Sequence, residues 1–124
     1  MDAALYRLEE PLLARALGEA QRRGVRVRLV LDRGKFFQTL VTRKLIQEHA
    51  LSCRLISGRT GKDGKMHHKF ALVDGRVVFT GSYNWTVESE VMNYDNLVVI
   101  RDPAVAEVYR REFDALWREA KEPD

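Results

Sequence analysis

The fold is decided by one stretch of the sequence, Met66-His-His-Lys-Phe-Ala-Leu-Val-Asp-Gly75. Its apolar and β-branched residues predict a strand, and its last two residues, Asp74-Gly75, are typical of a two-residue hairpin turn. Because side chains alternate between the two faces of a strand, His67 and Lys69 are expected on one face and His68 on the other. We expect Asp74 to have a structural role in the turn.

The pair formed by His67 and Lys69 indicates phosphate chemistry. An imidazole beside a fixed cation is able to attack a phosphate group that the cation holds, and the pKa of histidine suits work near neutral pH. The structural alternatives are a strand histidine bonded to a backbone carbonyl and a lysine whose ammonium group reaches the surface. We expect His68 to pack, or to support the site by a hydrogen bond.

A second polar cluster follows the hairpin. Arg76–Gly81 is predicted to be the return strand, and the segment Gly81-Ser-Tyr-Asn-Trp-Thr86 supplies small residues and hydrogen-bond donors. The segment Asn93-Tyr-Asp-Asn96 then precedes an apolar strand, Leu97–Ile100. Polar residues at strand ends beside a hairpin have the rigid support that a site needs, although an ordinary Gly-Ser turn has the same composition.

The two clusters together resemble the signature of the phospholipase D superfamily. That signature is His-x-Lys-x4-Asp, followed by Gly-Ser-x-Asn and a downstream acidic residue. The matching residues are His67, Lys69, Asp74, Gly81, Ser82, Asn84 and Asp95. The single copy of the motif is most similar to the small bacterial endonuclease branch, in which two identical chains share one site. The resemblance extends to Arg23–Asp32 and Phe113–Trp117, and therefore covers most of the chain.

The resemblance implies a metal-independent phosphodiesterase that needs no cofactor. It implies that His67 of one chain attacks phosphorus, while the same histidine of a second chain protonates the leaving oxygen. The phosphate would be bound by Lys69, Ser82 and Asn84. Asp95 would accept a hydrogen bond from a histidine Nδ1–H, as the aspartate of a catalytic triad does. Asp74 and Gly81 would be structural parts of the motif.

The sequence departs from the family pattern in two respects. The downstream acidic residue is more often Glu in this branch, whereas here it is Asp95, whose shorter side chain can still orient a histidine. Family members also usually carry a strand and a helix before the strand that starts here at Ala3–Leu8. We therefore interpret the chain as lacking the family's first strand and helix. We expect the sheet edge so exposed to be covered by a partner chain, by the N-terminal residues or by an upstream segment.

Length and composition predict one small domain, residues 1–124, of ordinary globular composition. The formal net charge of +3 and the pI of about 9.2 fit an anionic partner, either nucleic acid or phospholipid headgroups. The single cysteine, Cys53, is expected in the core, and neither a disulfide framework nor zinc-ligand spacing is present. We make no prediction of localisation.

Helical and strand patterns alternate before the motif. Helices are predicted from Glu10-Pro11 to Gly24, over Gln38–Glu48, and after Asp102-Pro103; strands are predicted over Val25–Leu31 and Leu51–Ser57, with a polar loop over Arg59–Lys65. This alternation predicts an α/β domain with a mixed, mostly parallel sheet flanked by helices, because the motif hairpin adds antiparallel pairing.

Basic and aromatic residues flank the motif in sequence. The basic residues Arg33, Lys35, Arg59, Lys62 and Lys65 predict either a solvated rim or a groove that follows phosphates. The aromatic residues Phe36, Phe37, Tyr83 and Trp85 are candidates for stacking on bases, for the core and for dimer contacts.

Three functions are compatible with these features. The leading hypothesis is a homodimeric nuclease that binds DNA or RNA. The first alternative is a phospholipase acting on phosphatidyl headgroups, which the lack of an amphipathic membrane helix disfavours, so that a membrane partner is not expected. The second alternative is a non-catalytic DNA-binding or assembly module, which the intact motif disfavours.

Overall fold

Residues 1–123, the part of the chain that the computed structural model describes, form six strands and five helices. The strands are β1 (Asp2–Leu5), β2 (Arg28–Asp32), β3 (Cys53–Ile56), β4 (Lys69–Val73), β5 (Val77–Gly81) and β6 (Leu97–Ile100). The helices are α1 (Pro11–Arg22), α2 (Arg33–Gln38), α3 (Leu40–Glu48), α4 (Val87–Val91) and α5 (Pro103–Glu119).

The strands form one sheet in the order β3-β2-β1-β4-β5-β6. The predicted mixed sheet is confirmed, but the expected majority of parallel pairs is wrong. Strand β2 pairs in parallel with β1 and β3, whereas β1–β4, β4–β5 and β5–β6 are antiparallel. Strands β4 and β5 are joined by a tight hairpin, which requires antiparallel pairing. The segment 82–96, which includes α4, then returns the chain antiparallel to β5 as β6.

The two faces of the sheet are buried by different helices. On one face, residues such as Leu5, Leu29 and Leu31 pack with Leu17 of α1 and Phe36 of α2. On the other face, α5 covers residues such as Ala4, Val30 and Phe70. Adjacent residues of β1 therefore enter opposite cores, as the alternation of side chains along a strand requires.

The motif strand is shorter than predicted. Strand β4 begins at Lys69, so that His67 and His68 lie in extended chain just before it. The backbone nitrogen of Tyr6 nevertheless donates to the carbonyl oxygen of His68 at 2.8 Å, which continues the β1–β4 pairing toward the motif. His67 is consequently held beside the end of β1 without being part of the sheet.

The edges of the sheet are β3 and β6, whereas β1 is paired on both sides. The expected exposed edge therefore does not lie at β1. The backbone of Leu55 in β3 exchanges two hydrogen bonds with Lys121, at 2.7 and 3.0 Å, so that the C-terminal segment covers this edge. Strand β6 is the other edge, and its residues Leu97, Val98 and Val99 are exposed.

Gly81 brings the ends of β5 and β6 into close contact. A β-carbon at this position would lie well under 3.0 Å from the carbonyl oxygen of Asn96, and the backbone φ is +156°. Since only glycine lacks a β-carbon, the approach of the two strands requires glycine here.

We predict that Gly81→Ala lowers the free energy of unfolding by about 2–4 kcal/mol, because it adds a steric clash to an unfavourable backbone conformation. Gly61→Ala is the matched control. Gly61 also has a positive φ, +75°, but an added methyl group would meet no atom within 4 Å. Urea denaturation of both variants measures the difference. Equal destabilisation of the two variants would contradict the steric role of Gly81.

Candidate active site

His67 and Lys69 are in direct contact, as their shared strand face predicts. The Lys69 Nζ atom lies 3.2 Å from His67 Nδ1 and donates to the backbone oxygen of His67 at 3.0 Å. The ring of Tyr6 lies against the imidazole, with ring centroids 4.4 Å apart. The Lys69 ammonium group is also 5.6 Å from the centroid of the Tyr6 ring. Tyr6 thus contacts the histidine and the lysine together.

This contact decides the tautomer of His67. An ammonium group only donates hydrogen bonds, so its contact with Nδ1 makes Nδ1 an acceptor and leaves the proton of the neutral ring on Nε2. Attack on phosphorus through Nε2 requires the other tautomer. A phosphate oxygen that draws the Lys69 ammonium group away from Nδ1 would allow the ring proton to move to Nδ1 and would leave Nε2 free to attack.

The surroundings of His67 favour its neutral form. Loss of water around the ring lowers its pKa most, and the positive charges of Lys69 and Lys65 lower it further. The carboxylate of Asp32 opposes this shift. Although His67 is exposed overall, the contact with Tyr6 removes water from part of the ring. A neutral imidazole near pH 7 is the state that a nucleophile needs.

The pKa of the Lys69 ammonium group is lowered, first by loss of water. The nearby charge of Asp95 acts in the opposite direction and favours the charged form. Asp95 is therefore within electrostatic reach of the His67–Lys69 pair.

Ser82, Asp95 and Asn96 form a hydrogen-bonded cluster at the ends of β5 and β6. The Ser82 hydroxyl group donates to Asp95 Oδ1 at 2.8 Å and accepts from the Asn96 backbone nitrogen at 3.0 Å. The Ser82 backbone nitrogen donates to Asn96 Oδ1 at 2.9 Å. Within one chain, Asp95 accepts from Ser82, and Lys69 lies against the Nδ1 atom of His67. The expected hydrogen bond from a histidine to Asp95 stays a prediction.

Asn84 has an unused hydrogen-bonding group. Its Oδ1 atom is the one buried side-chain polar atom among residues 1–123 that lacks a hydrogen-bond partner. Buried polar atoms of this kind are rare, because each costs about 1–3 kcal/mol. The oxygen and nitrogen of the amide exchange positions when the group rotates by half a turn, so the same position can present a donor. The amide of Asn84 thus retains an unused hydrogen-bonding position.

The loop that carries Asn84 is fixed at several points. The carbonyl oxygen of Trp85 accepts from the backbone nitrogens of Glu9 and Glu10, at 2.7 and 3.0 Å. The hydroxyl group of Tyr83 donates to Glu90 at 2.7 Å. Burial, together with this hydrogen bond, raises the pKa of Tyr83 to about 12, so that its proton stays in place.

Asp74 and His68 lie apart from the reactive pair. Asp74 and Gly75 have φ values of +55° and +65° in the β4–β5 turn, at the opposite end of β4 from His67. Arg76 adds a third residue to the predicted two-residue connection, since Val73 pairs with Val77. His68 faces α5, where its Nε2 atom lies 3.2 Å from Glu112 Oε1.

The five basic residues that flank the motif in sequence line two neighbouring depressions at the site. Four of the five line one cleft of about 480 Å³, which also includes Tyr6: Arg33, Lys35, Lys62 and Lys65. The fifth, Arg59, lines a neighbouring depression of about 400 Å³ that contains His67 and His68. The two depressions meet at Lys65, so that positive charge extends across the site.

Sequence reasoning missed two residues of the site, Tyr6 and Asp32. The carboxylate of Asp32 is 3% exposed and accepts from the backbone nitrogens of Lys35 and Met66, each at 2.9 Å. An aspartate at the end of a strand, three residues before Lys35, is an N-cap signal that would have indicated α2. Nothing in the local sequence indicates Tyr6, because the β1–β4 pairing brings it to His67.

The comparisons with known proteins identify the family of the chain. The family model described as "Cardiolipin synthase, PLD-like domain" matches residues 1–117. The chain belongs to the phospholipase D-like family of phosphodiesterases. The superfamily predicted from the motif is therefore confirmed, and so is its α/β fold.

The sequence is 36% identical over 125 residues to mitochondrial cardiolipin hydrolase of Xenopus laevis, covering 96% of this chain and 55% of that protein. It is 34% identical over 104 residues to phospholipase D of Rickettsia prowazekii, covering 84% and 49%. The structure matches Nuc of Salmonella typhimurium, a phospholipase D family member, with a TM-score of 0.87 and 27% identity, covering 98% and 79%. The chain spans about half the length of the curated relatives that it matches.

Residues 1–123 lack two features that would bear on the site. No helix in this range has the length and apolar character needed to cross a membrane. No group of three or more histidine, cysteine, aspartate or glutamate residues in the same range is arranged to hold a metal ion.

We predict that NMR titration places the pKa of His67 below the ordinary value of 6.5. Lys65→Gln should raise this pKa, because it removes a positive charge that opposes protonation. Lys62→Gln, with the same change of charge in the same loop, should raise it less. Because the folded state binds this proton less tightly than the unfolded state, the stability contributed by His67 should fall as the pH drops from 6.5 toward the lower folded pKa. A pKa above 6.5 would contradict the described electrostatics.

Proposed function

We propose that this protein is a nuclease that hydrolyses phosphodiester bonds of nucleic acid without a divalent metal. The observation that carries the proposal is the direct contact of His67 with Lys69 beside a cleft lined by four basic side chains. The imidazole supplies a nucleophile, and the ammonium group supplies the charge that a metal ion provides in other phosphodiesterases. The basic cleft supplies contacts to the phosphates on either side of the scissile bond.

The first step begins with phosphate binding. A non-bridging oxygen accepts from the Lys69 ammonium group and from the amide of Asn84, and Lys69 moves off His67 Nδ1. The ring proton then resides on Nδ1, and Nε2 carries the free electron pair. Asp95 has one carboxylate oxygen bonded to Ser82. Its other oxygen is the acceptor that we assign to Nδ1–H.

Two displacements at phosphorus follow. The Nε2 atom of His67 forms a bond to phosphorus, and the bond from phosphorus to the leaving oxygen breaks as that oxygen takes a proton from a second histidine. Water then attacks the phosphohistidine, the second histidine accepts a proton from that water, and the bond between phosphorus and Nε2 breaks. Lys69 and Asn84 stabilise the charge that develops on the phosphoryl oxygens in both steps.

We assign the second histidine to a second chain. Within residues 1–123, His68 faces α5 and contacts Glu112, and His49 lies against Gly18 of α1. We therefore propose a homodimer in which two copies of His67 face each other across a two-fold axis. The exposed side chains Val91, Met92 and Tyr94, which are 72%, 75% and 108% exposed, follow the Ser82–Asn84 loop. Their apolar surface suits an interface beside the site.

A phosphatidyl substrate is the second candidate. It is favoured by the names of the relatives, mitochondrial cardiolipin hydrolase at 36% identity and phospholipase D at 34% identity. Cardiolipin is itself a phosphodiester, and the same histidine and lysine chemistry would apply to it. The choice between the substrates depends on what lies around the reactive pair, and the basic cleft favours a polyanion.

We expect the purified protein to cleave a labelled single-stranded oligonucleotide in the presence of EDTA, and to leave vesicles containing cardiolipin intact. His67→Ala should lower turnover by at least about 1,000-fold, because it removes the group that forms the covalent intermediate. His68→Ala is the matched control, since it removes the adjacent histidine on the opposite face, and it should retain most of the activity.

Cleavage of cardiolipin but not of the oligonucleotide would favour the second candidate. Activity that disappears in EDTA and returns with magnesium would contradict the metal-independent mechanism. Substantial cleavage by pure His67→Ala would exclude His67 as the nucleophile.

A further inference from the structure

The cleft of about 480 Å³ beside the reactive pair is lined by two aromatic side chains, Tyr6 and Phe37. Tyr6 belongs both to this cleft and to the site, because its ring contacts His67 and lines the cleft with Phe37. A group bound in this cleft would therefore lie directly next to the group bound at His67. For a polymer, that group is the neighbouring residue of the same strand.

Phe37 is the one of the four aromatic candidates that is both exposed and part of the basic cleft. Its side chain is 46% exposed, whereas the adjacent Phe36 is 6% exposed and belongs to the core. Trp85 packs against the core, and Tyr83 is bonded to Glu90. Phe37 contacts the Phe36 ring edge-on, with centroids 5.2 Å apart. Its exposed part lies at the edge of the basic cleft.

The charges around Phe37 suit a nucleotide. The Arg33 guanidinium group lies 5.0 Å from the centroid of the Phe37 ring. Lys35 and Lys65 lie 5.7 and 5.8 Å from the centroid of the Tyr6 ring. Two carboxylates, Asp32 and Asp63, also line the cleft. The carboxylate of Asp32 already accepts hydrogen bonds from two backbone nitrogens, and the four basic side chains outnumber the two carboxylates. The cleft therefore has aromatic surface for a base and positive charge for its phosphate.

We propose that Phe37 is the stacking platform of a nucleobase subsite, and that it binds the base of an unpaired nucleotide next to the scissile phosphate. Base–aromatic stacking needs a free face of the base, which a single strand presents and the interior of a duplex does not. A phosphatidyl headgroup has no flat π surface and would gain little from the ring. The proposal rests on the proposed function, and it names single-stranded nucleic acid as the substrate class.

The preference of this subsite is for shape rather than sequence. Every base has a π face, so stacking on Phe37 is open to all four bases. We therefore expect binding to depend on the presence of a base and on salt, and to vary little among the four bases.

The test measures binding rather than turnover. In the His67→Ala background, the affinity for a fluorescent single-stranded oligonucleotide is measured by anisotropy in EDTA. Phe37→Ala should raise Kd about 10-fold, a typical loss for one stacked base. Phe37→Trp should restore the affinity. Leu40→Ala is the matched control, because Leu40 is 55% exposed and close in sequence but does not line the cleft.

An abasic nucleotide placed at successive positions of the strand completes a double-mutant cycle. At one position of the strand, the abasic nucleotide should weaken binding about 10-fold for the protein that carries Phe37. For Phe37→Ala, the abasic strand and the intact strand should bind equally, because the base has no ring to stack on. Losses that add at every position would overturn the proposal, and so would an unchanged Kd for Phe37→Ala. A failure of the proposed function appears separately, as absence of cleavage by the protein with His67 intact.

Discussion

The buried carboxylate of Asp32 is the constraint on which the site depends. It ends β2, caps α2 through the Lys35 backbone nitrogen and holds the Met66 backbone nitrogen immediately before His67. A carboxylate that is 3% exposed is stable there because it accepts hydrogen bonds from backbone groups. One side chain thus positions the reactive histidine and the helix that carries Phe37, and it joins the chemistry to the adjacent cleft.

The strand β4 and the residues before it place the reactive side chains and the supporting side chains on opposite sides of the chain. Alternation of side chains places Lys69 with His67, and it places His68 and Phe70 toward α5. The site lies at one end of β4, where β1 supplies Tyr6, while the turn at Asp74 lies at the other end. The contacts of Tyr6 with His67 and Lys69 therefore depend on the register of β1 and β4.

The sequence was sufficient for those features that depend on neighbours along the chain. The hairpin, the shared face of His67 and Lys69, and the longer helices follow from short-range patterns. Helices α2 and α4 were missed because six and five residues are too few to show a helical period. The contacts of Tyr6 with His67 and of Ser82 with Asp95 depend on strand register, which no local pattern specifies.

Mixing of subunits tests most directly whether two chains share one reactive centre, as we propose. The protein with His67 is mixed with His67→Ala under conditions in which exchange is confirmed by mass-labelled subunits. If both copies of His67 are required, only dimers with two intact histidines cleave, and the activity falls as the square of the fraction of intact chains. A fall in direct proportion to that fraction would show that each chain carries a complete site.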